Sequence, residues 1–302
     1  MMPRQTEPDA TRLRDSKRVK QSHLPETRPV GDTAVRGETA IAPCCMDREP
    51  ILCTEHLGVH YGKQAALRDV TMPIYRGCIT AVVGPSGCGK STFLNCLNRM
   101  TDLTEGCRVS GRVSFDGADI TGGGVDLLAL RRRIGMIFQK PNPFPLSIRK
   151  NLVFPLREHG IRSRRRCEQL LAAALEQVGL WEEVKDRLDA PALGLSGGQQ
   201  QRLCLARALV LEPEVVLLDE PCSALDPIAS GVVEDLIGSL RGRYTVVIVT
   251  HNLAQARRVA DDVAVFWLEE GAGTVIERGP AEQVFTAPRH PATAAYVEGR
   301  CG

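Results

Sequence analysis

The stretch GPSGCGKST, residues 84–92, decides the fold of this 302-residue chain. It follows an apolar run, ITAVV, and leads into STFLNCL, so it has the strand before it and the helix after it that a phosphate-binding loop requires. Glycines permit backbone angles with which successive N–H groups point inward at phosphate oxygens, and the helix start adds the positive end of its dipole. The stretch therefore predicts a nucleotide-binding loop.

The residue types in this loop suggest individual roles. Lys90 is expected to reach the β- and γ-phosphates of a nucleotide, and the Ser91 hydroxyl to bind Mg²⁺. A glycine-rich turn with a chance lysine is the competing interpretation, but it accounts for neither the strand nor the helix. The predicted nucleotide-binding residues of the loop are Gly84, Pro85, Ser86, Gly87, Cys88, Gly89, Lys90, Ser91 and Thr92.

Further apolar runs after the loop predict a sheet. They are RIGMIFQ (133–139), VVLLDE (215–220), TVVIVTH (245–251) and VAVFWLE (263–269). Runs this short and rich in β-branched residues are typical of strands buried on both faces, and the helical patterns between them indicate βαβ units. We therefore predict an α/β fold of the P-loop NTPase (RecA-like) class, with a parallel-sheet core and antiparallel edge strands.

The pattern also predicts the organisation of the chain. Residues 145–212 read as almost purely helical, so we expect a helical subdomain inserted into an α/β core of about 51–144 and 213–302. Residues 1–50 are rich in Pro, Thr, Arg and Asp without apolar periodicity, which predicts a disordered tail. The start has no apolar segment of the kind found in secretory signals.

Composition excludes some classes of protein. The chain is 43% hydrophobic and 25% charged with a net charge of +2, which gives no bulk attraction to nucleic acid or anionic lipid. No run approaches the roughly 18 apolar residues of a spanning helix. The 11 cysteines are scattered and form no CxxC pair, which favours reduced thiols over a disulfide framework or a zinc site. The adjacent Cys44 and Cys45 leave a metal or redox role open.

Polar side chains end three of the apolar runs. Asp219 and Glu220 follow VVLL, at the edge where ligands of open α/β sheets bind. We expect Asp219 to hold Mg²⁺ and Glu220 to polarise an attacking water, although two solvated acids at a strand end would look alike. His251 and Gln139 end their runs in the same way, so His251 could contact a γ-phosphate and Gln139 could orient water or ligate Mg²⁺.

Two other stretches suggest contacts with a nucleotide. Tyr61 lies on a predicted antiparallel edge strand, and its ring could stack on a purine or pack on the core. LSGGQQQRL (195–203) reads as a helix start, with Ser196 as N-cap and with Gly197 and Gly198 leaving the first N–H groups uncovered. Since the loop at 84–92 already serves one nucleotide, this second anion site makes sense for a nucleotide held by another copy of the chain.

These motifs, in this order, resemble the ATP-binding cassette family, of which LSGGQ is the signature. The resemblance covers about residues 51–302 and implies that two cassettes dimerise head-to-tail around two ATP molecules. It implies that Tyr61 stacks on adenine, Glu220 is the base, His251 contacts the γ-phosphate, and Gln139 senses the nucleotide and couples to membrane subunits. The residues that would face the partner's nucleotide or cross the dimer interface are Ser196, Gly197, Gly198, Gln199, Ser223, Ala224, Leu225 and Asp226.

Within that family the chain resembles the ATPase subunits of bacterial phosphate importers. The stretches concerned are CLNRMTDL (96–103), FQKPNPFPLSI (138–148) and LDEPCSALDPIAS (218–230), with Cys222 and PNPFP as the most particular marks. The resemblance implies an ATPase on the cytoplasmic face of the inner membrane, with two permease subunits, a solute-binding protein and no nucleic acid. NLVFPLREHGIRSRRR (151–166) departs from that pattern in the helical lobe, which bears on partner identity. PNPFP itself predicts either an exposed Phe144 for a partner pocket or a plain rigid turn.

Two alternative functions remain at this point. The first is an importer ATPase for another solute, such as a polar amino acid. The second is a cassette protein outside transport, which usually carries a coiled-coil insertion, zinc cysteines or a second cassette, and the sequence suggests none of these. A P-loop kinase or strand-exchange ATPase is disfavoured by the signature stretch.

Overall fold

A computed structural model describes residues 48–300, in which ten strands form one sheet of order β5-β4-β1-β2-β10-β9-β3-β8-β7-β6. The strands are β1 (Pro50–Tyr61), β2 (Gln64–Tyr75), β3 (Ile79–Val83), β4 (Cys107–Phe115), β5 (Ala118–Asp119), β6 (Ile134–Ile137), β7 (Val215–Asp219), β8 (Thr245–Val249), β9 (Asp262–Glu269) and β10 (Ala272–Pro280).

The half of the sheet from β9 to β6 is parallel. Strand β3 pairs in parallel with β9 and β8, and β7 pairs in parallel with β8 and β6. Every residue of β3 and β8 is buried, which explains why both read as unbroken apolar runs. The predicted α/β fold of the P-loop class is therefore confirmed, and the carboxyl ends of these strands meet at one edge of the sheet.

The other half of the sheet is mainly antiparallel. Strand β1 pairs antiparallel with both β2 and β4, and β5 pairs antiparallel with β4 at the end of the sheet. Tyr61 lies opposite Gln64 of β2 and Cys107 of β4. The predicted edge position of Tyr61 is therefore wrong, because its strand has a neighbour on each side.

The described chain contains ten α-helices, of which the first eight lie between strands. The helices are α1 (Lys90–Leu97), α2 (Leu127–Arg133), α3 (Ile148–Glu158), α4 (Arg164–Gln177), α5 (Trp181–Val184), α6 (Gly197–Leu209), α7 (Pro227–Ser239), α8 (Leu253–Val259), α9 (Ala281–Thr286) and α10 (Pro291–Val297). Helices α3 to α6 all lie between β6 and β7, where the sequence suggests a helical subdomain. The exact domain boundaries stay a prediction.

The sheet separates two hydrophobic clusters. Successive side chains of a strand point to opposite faces, and on β3 Ala81 and Val83 join one cluster while Val82 joins the other. Phe93 of α1 packs against Phe266 of β9 in the second cluster, with ring centroids 5.1 Å apart. Helix α1 is thus held against the sheet immediately after the predicted phosphate loop.

Some predictions fall outside this part of the chain. The predicted disordered tail and the cysteines Cys44 and Cys45 precede residue 48, so they lie outside the described residues. The expectation of reduced thiols is wrong at Cys78, which is disulfide-bonded, whereas the other seven cysteines between residues 48 and 300 are free. Over the same range we find no helix with the length and apolar character needed to cross a bilayer.

Candidate nucleotide site

The loop at residues 84–89 connects β3 to α1 and lies tightly against neighbouring strands. Gly84 and Gly89 have φ values of 144° and 87°. A Cβ on Gly84 would lie 2.1 Å from the carbonyl oxygen of Phe266, and one on Gly89 would lie 2.5 Å from a methyl carbon of Leu67. Glycine is thus required at both positions, by backbone angle and by lack of space.

This packing predicts a large effect for Gly84→Ala. The new Cβ would meet backbone at a φ that L residues rarely adopt, so we expect the free energy of unfolding to fall by about 3 kcal/mol or more. Urea unfolding followed by circular dichroism measures this change. Gly117→Ala is the matched control, because Gly117 also has positive φ but a Cβ added there would meet nothing within 4 Å. Equal destabilisation of the two variants would contradict the close approach.

Lys90, the first residue of α1, is only 6% exposed. Its Nζ donates hydrogen bonds to the carbonyl oxygens of Gly84 at 2.8 Å and Pro85 at 2.7 Å. The lysine, together with Ser91 and Gly87, lines a cavity of about 480 Å³. A Cβ on Gly87 would meet no atom within 4 Å, so the backbone here faces open space. A buried ammonium group and a helix N-terminus around such a cavity suit a polyphosphate.

Ser91 and Asp219 meet across the site. The Ser91 hydroxyl donates a hydrogen bond of 2.9 Å to a carboxylate oxygen of Asp219, which is the last residue of β7. Burial is the largest influence on the pKa of Asp219 and raises it; the Glu220 charge raises it further, while Ser91 and Lys90 oppose the rise. Hydroxyl and carboxylate oxygens are the hard ligands that Mg²⁺ prefers, so this pair fits a magnesium ion.

The three predicted catalytic residues meet, because His251 and Gln139 both contact the carboxylate of Glu220. Oε2 of Glu220 lies 2.9 Å from Nδ1 of His251 and accepts a hydrogen bond of 3.3 Å from Nε2 of Gln139. These residues follow β7, β8 and β6, which are adjacent in the sheet. Their convergence follows from the parallel topology, because carboxyl ends of neighbouring parallel strands share one edge.

The backbone at Glu220 is unusual. Its φ is 46°, in the left-handed region that non-glycine residues seldom occupy. The peptide is held on both sides, because its N–H donates to the Val249 carbonyl at 2.9 Å and its carbonyl accepts from the N–H and hydroxyl of Ser223, both at 3.1 Å. Strained backbone held by its surroundings is a common feature of functional sites.

Tyr61 is half-buried at the end of β1 and packs against the cluster that contains Phe93. Burial raises the pKa of its phenol, and hydrogen bonding with Thr92 opposes the rise. The tyrosine thus lies beside the last residue of the phosphate loop. Its stacking on adenine stays a prediction.

The stretch at 196–199 starts helix α6 as the sequence suggests. Ser196 is the N-cap, its hydroxyl accepting from the N–H of Gln199 at 3.3 Å while the Gln199 side chain accepts from the Ser196 N–H at 3.0 Å. A Cβ on Gly198 would lie 2.9 Å from that of Ala229, so this glycine lets α6 approach α7. Ser196 and Gly197 are exposed, and within the described chain none of the four lines the phosphate-loop cavity. Their contact with a partner's nucleotide stays a prediction.

The three consecutive glutamines have three different environments. Gln199 completes the capping box and also donates to Glu183 at 2.7 Å. Gln200 donates to the carbonyl oxygens of Leu193 and Leu195, which holds the turn before the helix. Gln201 is fully buried, and within residues 48–300 its side-chain amide has no hydrogen-bond partner.

Asp226 also begins a helix. Its carboxylate is the N-cap of α7 and accepts from the N–H groups of Ile228 at 3.0 Å and Ala229 at 2.9 Å. The preceding Ser223 and Ala224 are exposed. The loop predicted to cross a dimer interface is therefore on the surface, while Asp226 itself fixes the start of the following helix.

Of the two interpretations of PNPFP, the one with an exposed Phe144 is wrong. Phe144 is half-buried, with its ring edge-on to Phe154 at a centroid distance of 5.6 Å and the Arg207 guanidinium 4.2 Å above it. The Asn151 side chain bonds both the N–H and the carbonyl of Phe144, which holds the loop. Phe154 on α3 is more exposed, at 47%, and both rings line a groove of about 280 Å³.

Sequence reasoning missed Tyr296. This residue of α10 is buried, and burial raises the pKa of its phenol, while a hydrogen bond with the backbone of Gly84 opposes the rise. It shares a cavity of about 550 Å³ with Pro85, Ser86 and His251. The only signal was its place in TAAYVEGRCG near the end of the chain, which indicates no contact with residue 84.

Comparison with known proteins identifies the family. A family model described as ABC transporter matches residues 67–223. The chain is also 60% identical over 260 residues to "Phosphate import ATP-binding protein PstB 1" of Nitrosococcus oceani, an alignment that covers 86% of this chain and 94% of the relative. The chain belongs to the ABC transporter family.

Further comparisons agree with ABC membership. The protein of the same name from Vibrio vulnificus is 50% identical over 256 residues, covering 85% of this chain and 93% of the relative. A solved structure, cbiO1 from Clostridium perfringens, described as part of the ABC transporter complex cbiONQ, superposes with a TM-score of 0.68 at 30% identity. That match covers 80% of this ABC chain and 92% of the other. ATP binding and hydrolysis are the activity of this family's ATPase subunits.

Proposed function

We propose that this chain is the ATP-hydrolysing subunit of a bacterial importer that takes up inorganic phosphate. The observation that carries the proposal is the convergence of Gln139, Glu220 and His251 at the sheet edge, next to a phosphate loop with a buried lysine. The identity of 60% to a phosphate import ATP-binding protein supports the choice of solute.

Binding of the nucleotide follows from the loop. The ammonium of Lys90 and the N-terminal amides of α1 offer positive charge to the β- and γ-phosphates of ATP. Ser91 and Asp219 would hold Mg²⁺, with Gln139 as a further oxygen ligand. When bound, the metal neutralises charge on the phosphates.

Hydrolysis needs a group that takes a proton from water. Glu220 is the base of the proposed mechanism, and His251 and Gln139 hold its carboxylate from two directions. His251 would also contact the γ-phosphate, so its imidazole lies between the base and the reacting group. The constrained backbone at Glu220 keeps the carboxylate at this edge.

Coupling to transport involves a second copy and membrane subunits. In this proposal two chains close on two Mg-ATP, with the exposed Ser196 and Gly197 of one chain capping the nucleotide on the phosphate loop of the other. ATP favours the closed pair, and hydrolysis reopens it. The groove with Phe154 is proposed to receive the permease subunits on the cytoplasmic face of the inner membrane, where a solute-binding protein completes the importer.

Uptake assays test the solute. In cells that lack this chain, we expect uptake of radiolabelled phosphate to fall to background and to return with the wild-type chain but not with Glu220→Gln. Uptake of a polar amino acid in the same cells is the control and should not change. The reverse result, with amino-acid uptake lost and phosphate uptake intact, would reject phosphate as the solute while leaving the ATPase role in place.

A further inference from the structure

A buried polar cluster joins α7 to α8 behind the catalytic carboxylate. Glu234 of α7 is 8% exposed, and Gln255 of α8 is 3% exposed. The Gln255 amide donates to one carboxylate oxygen of Glu234 at 3.2 Å, and Arg258 forms an ion pair with the other. Two groups one turn apart on α8 therefore hold one carboxylate of α7.

This cluster lies close in sequence to His251, which is proposed to take part in hydrolysis. His251 comes two residues before α8, and Asn252, the N-cap of α8, accepts a hydrogen bond from the N–H of Gln255 at 3.1 Å. The His251 side chain is 58% exposed, so packing around its ring does not fix its direction. Its position depends on its backbone, and hence on where the first turn of α8 lies.

The first turn of α8 packs on the core through Leu253 and Ala256, but its side toward α7 is open. A cavity of about 600 Å³ lies between the start of α7 and the start of α8, and its lining includes Glu220, His251, Glu234, Gln255 and Arg258. Across such a gap dispersion contacts are lost, so the directional hydrogen bond between Gln255 and Glu234 contributes to the separation of the helices on this side. Removing a partner of the buried Glu234 carboxylate would leave its charge uncompensated, which is strongly destabilising. The positions of Gln255 and Arg258 relative to Glu234 are therefore constrained.

We propose that Gln255 is a positioning residue, which, through Glu234, fixes α8 and thereby holds His251 at hydrogen-bonding distance from Glu220. The proposal rests on the ATPase role proposed above. Gln255 does not line the cavity at the phosphate loop, so its expected effect is on the placement of His251 and not on ATP binding.

The test is Gln255→Leu, which keeps the size of the side chain and removes its donor. We expect kcat for ATP hydrolysis by the full chain to fall about tenfold, while KM for ATP stays within about twofold, because misplacement affects the chemical step alone. The double variant Glu234→Gln with Gln255→Glu rebuilds an amide–carboxylate pair with the roles exchanged. It should recover most of the lost kcat.

A matched control lies elsewhere in the chain. Gln283 donates to the buried Glu277 at 3.1 Å, so Gln283→Leu removes the same kind of contact away from the site and should leave kcat unchanged. A second readout needs no nucleotide: hydrogen exchange at residues 250–256 should speed up in Gln255→Leu and slow again in the exchanged pair. If Gln255→Leu is poorly folded, hydrogen exchange still tests the contact, because the exchanged pair and Arg258→Gln can each be compared with the wild-type chain.

Two results would overturn the inference. One is a Gln255→Leu chain with kcat within about twofold of wild type. The other is an exchanged pair that is folded yet recovers neither kcat nor protection from exchange. If the wild-type chain itself hydrolysed no ATP, the proposed function would fail. Hydrogen exchange at residues 250–256 would still test the contact between α7 and α8.

Discussion

Lys90→Ala should lower ATP turnover about a hundredfold or more, because it removes the buried charge aimed at the phosphates. In the structure the ammonium is held by the carbonyl oxygens of Gly84 and Pro85, so it is already in place at the loop and needs little rearrangement to meet a phosphate. Release of inorganic phosphate from ATP by the purified chain measures the change. Nucleotide affinity should also fall, which a fluorescent ATP analogue can report.

Lys185→Ala is the control for this substitution. Lys185 forms an exposed ion pair with Glu182, and such pairs contribute little to stability. Its loss should therefore leave turnover and folding unchanged. If Lys90→Ala kept wild-type turnover, the phosphate loop would not hold the reacting nucleotide.

Glu220→Gln should separate binding from hydrolysis. Glutamine keeps the shape of the side chain and its contacts with Gln139 and His251, but it cannot accept a proton from water. We expect turnover to fall by about a hundredfold or more and ATP binding to persist. Single-turnover hydrolysis and equilibrium ATP binding, measured on the same preparation, give the two quantities.

Glu212→Gln is the control for Glu220→Gln, because the two positions share a backbone conformation. Glu212 also has a left-handed φ, of 52°, and it is exposed outside the site. Its replacement should leave hydrolysis unchanged, so an effect specific to position 220 can be assigned to the carboxylate and not to the strained backbone. Full activity in Glu220→Gln would place the base at another residue.

Much of the fold and site follows from local patterns in the sequence. The apolar runs before Gly84, Asp219 and His251 are strands in the structure, because a parallel strand buried on both faces leaves a continuous apolar run. Once the strands are parallel, the polar residues that follow them must lie at one edge. The meeting of Gln139, Glu220 and His251 is thus a consequence of topology that the sequence already contains.

Contacts between distant segments could not be predicted in the same way. Because β1 pairs with β4, Tyr61 does not lie at the sheet edge. Because Phe144 packs against Phe154 and Arg207, it lacks the exposure that one interpretation of PNPFP predicts. Gly198 gives a further example, since its closeness to Ala229 depends on how α6 and α7 pack. The link between Gln255 and Glu234 belongs to this class, because no local spacing relates two residues on different helices.

In the proposed mechanism each ATP lies between two copies of the chain, on the phosphate loop of one and under the residues at 196–198 of the other. Light scattering on the Glu220→Gln chain at saturating Mg-ATP measures whether such a pair forms. We expect a particle of two chains with ATP, and single chains with ADP or after addition of Lys90→Ala to the same variant. A particle that stays a single chain at saturating Mg-ATP, both alone and with the permease subunits present, would show that ATP is not bound between two copies.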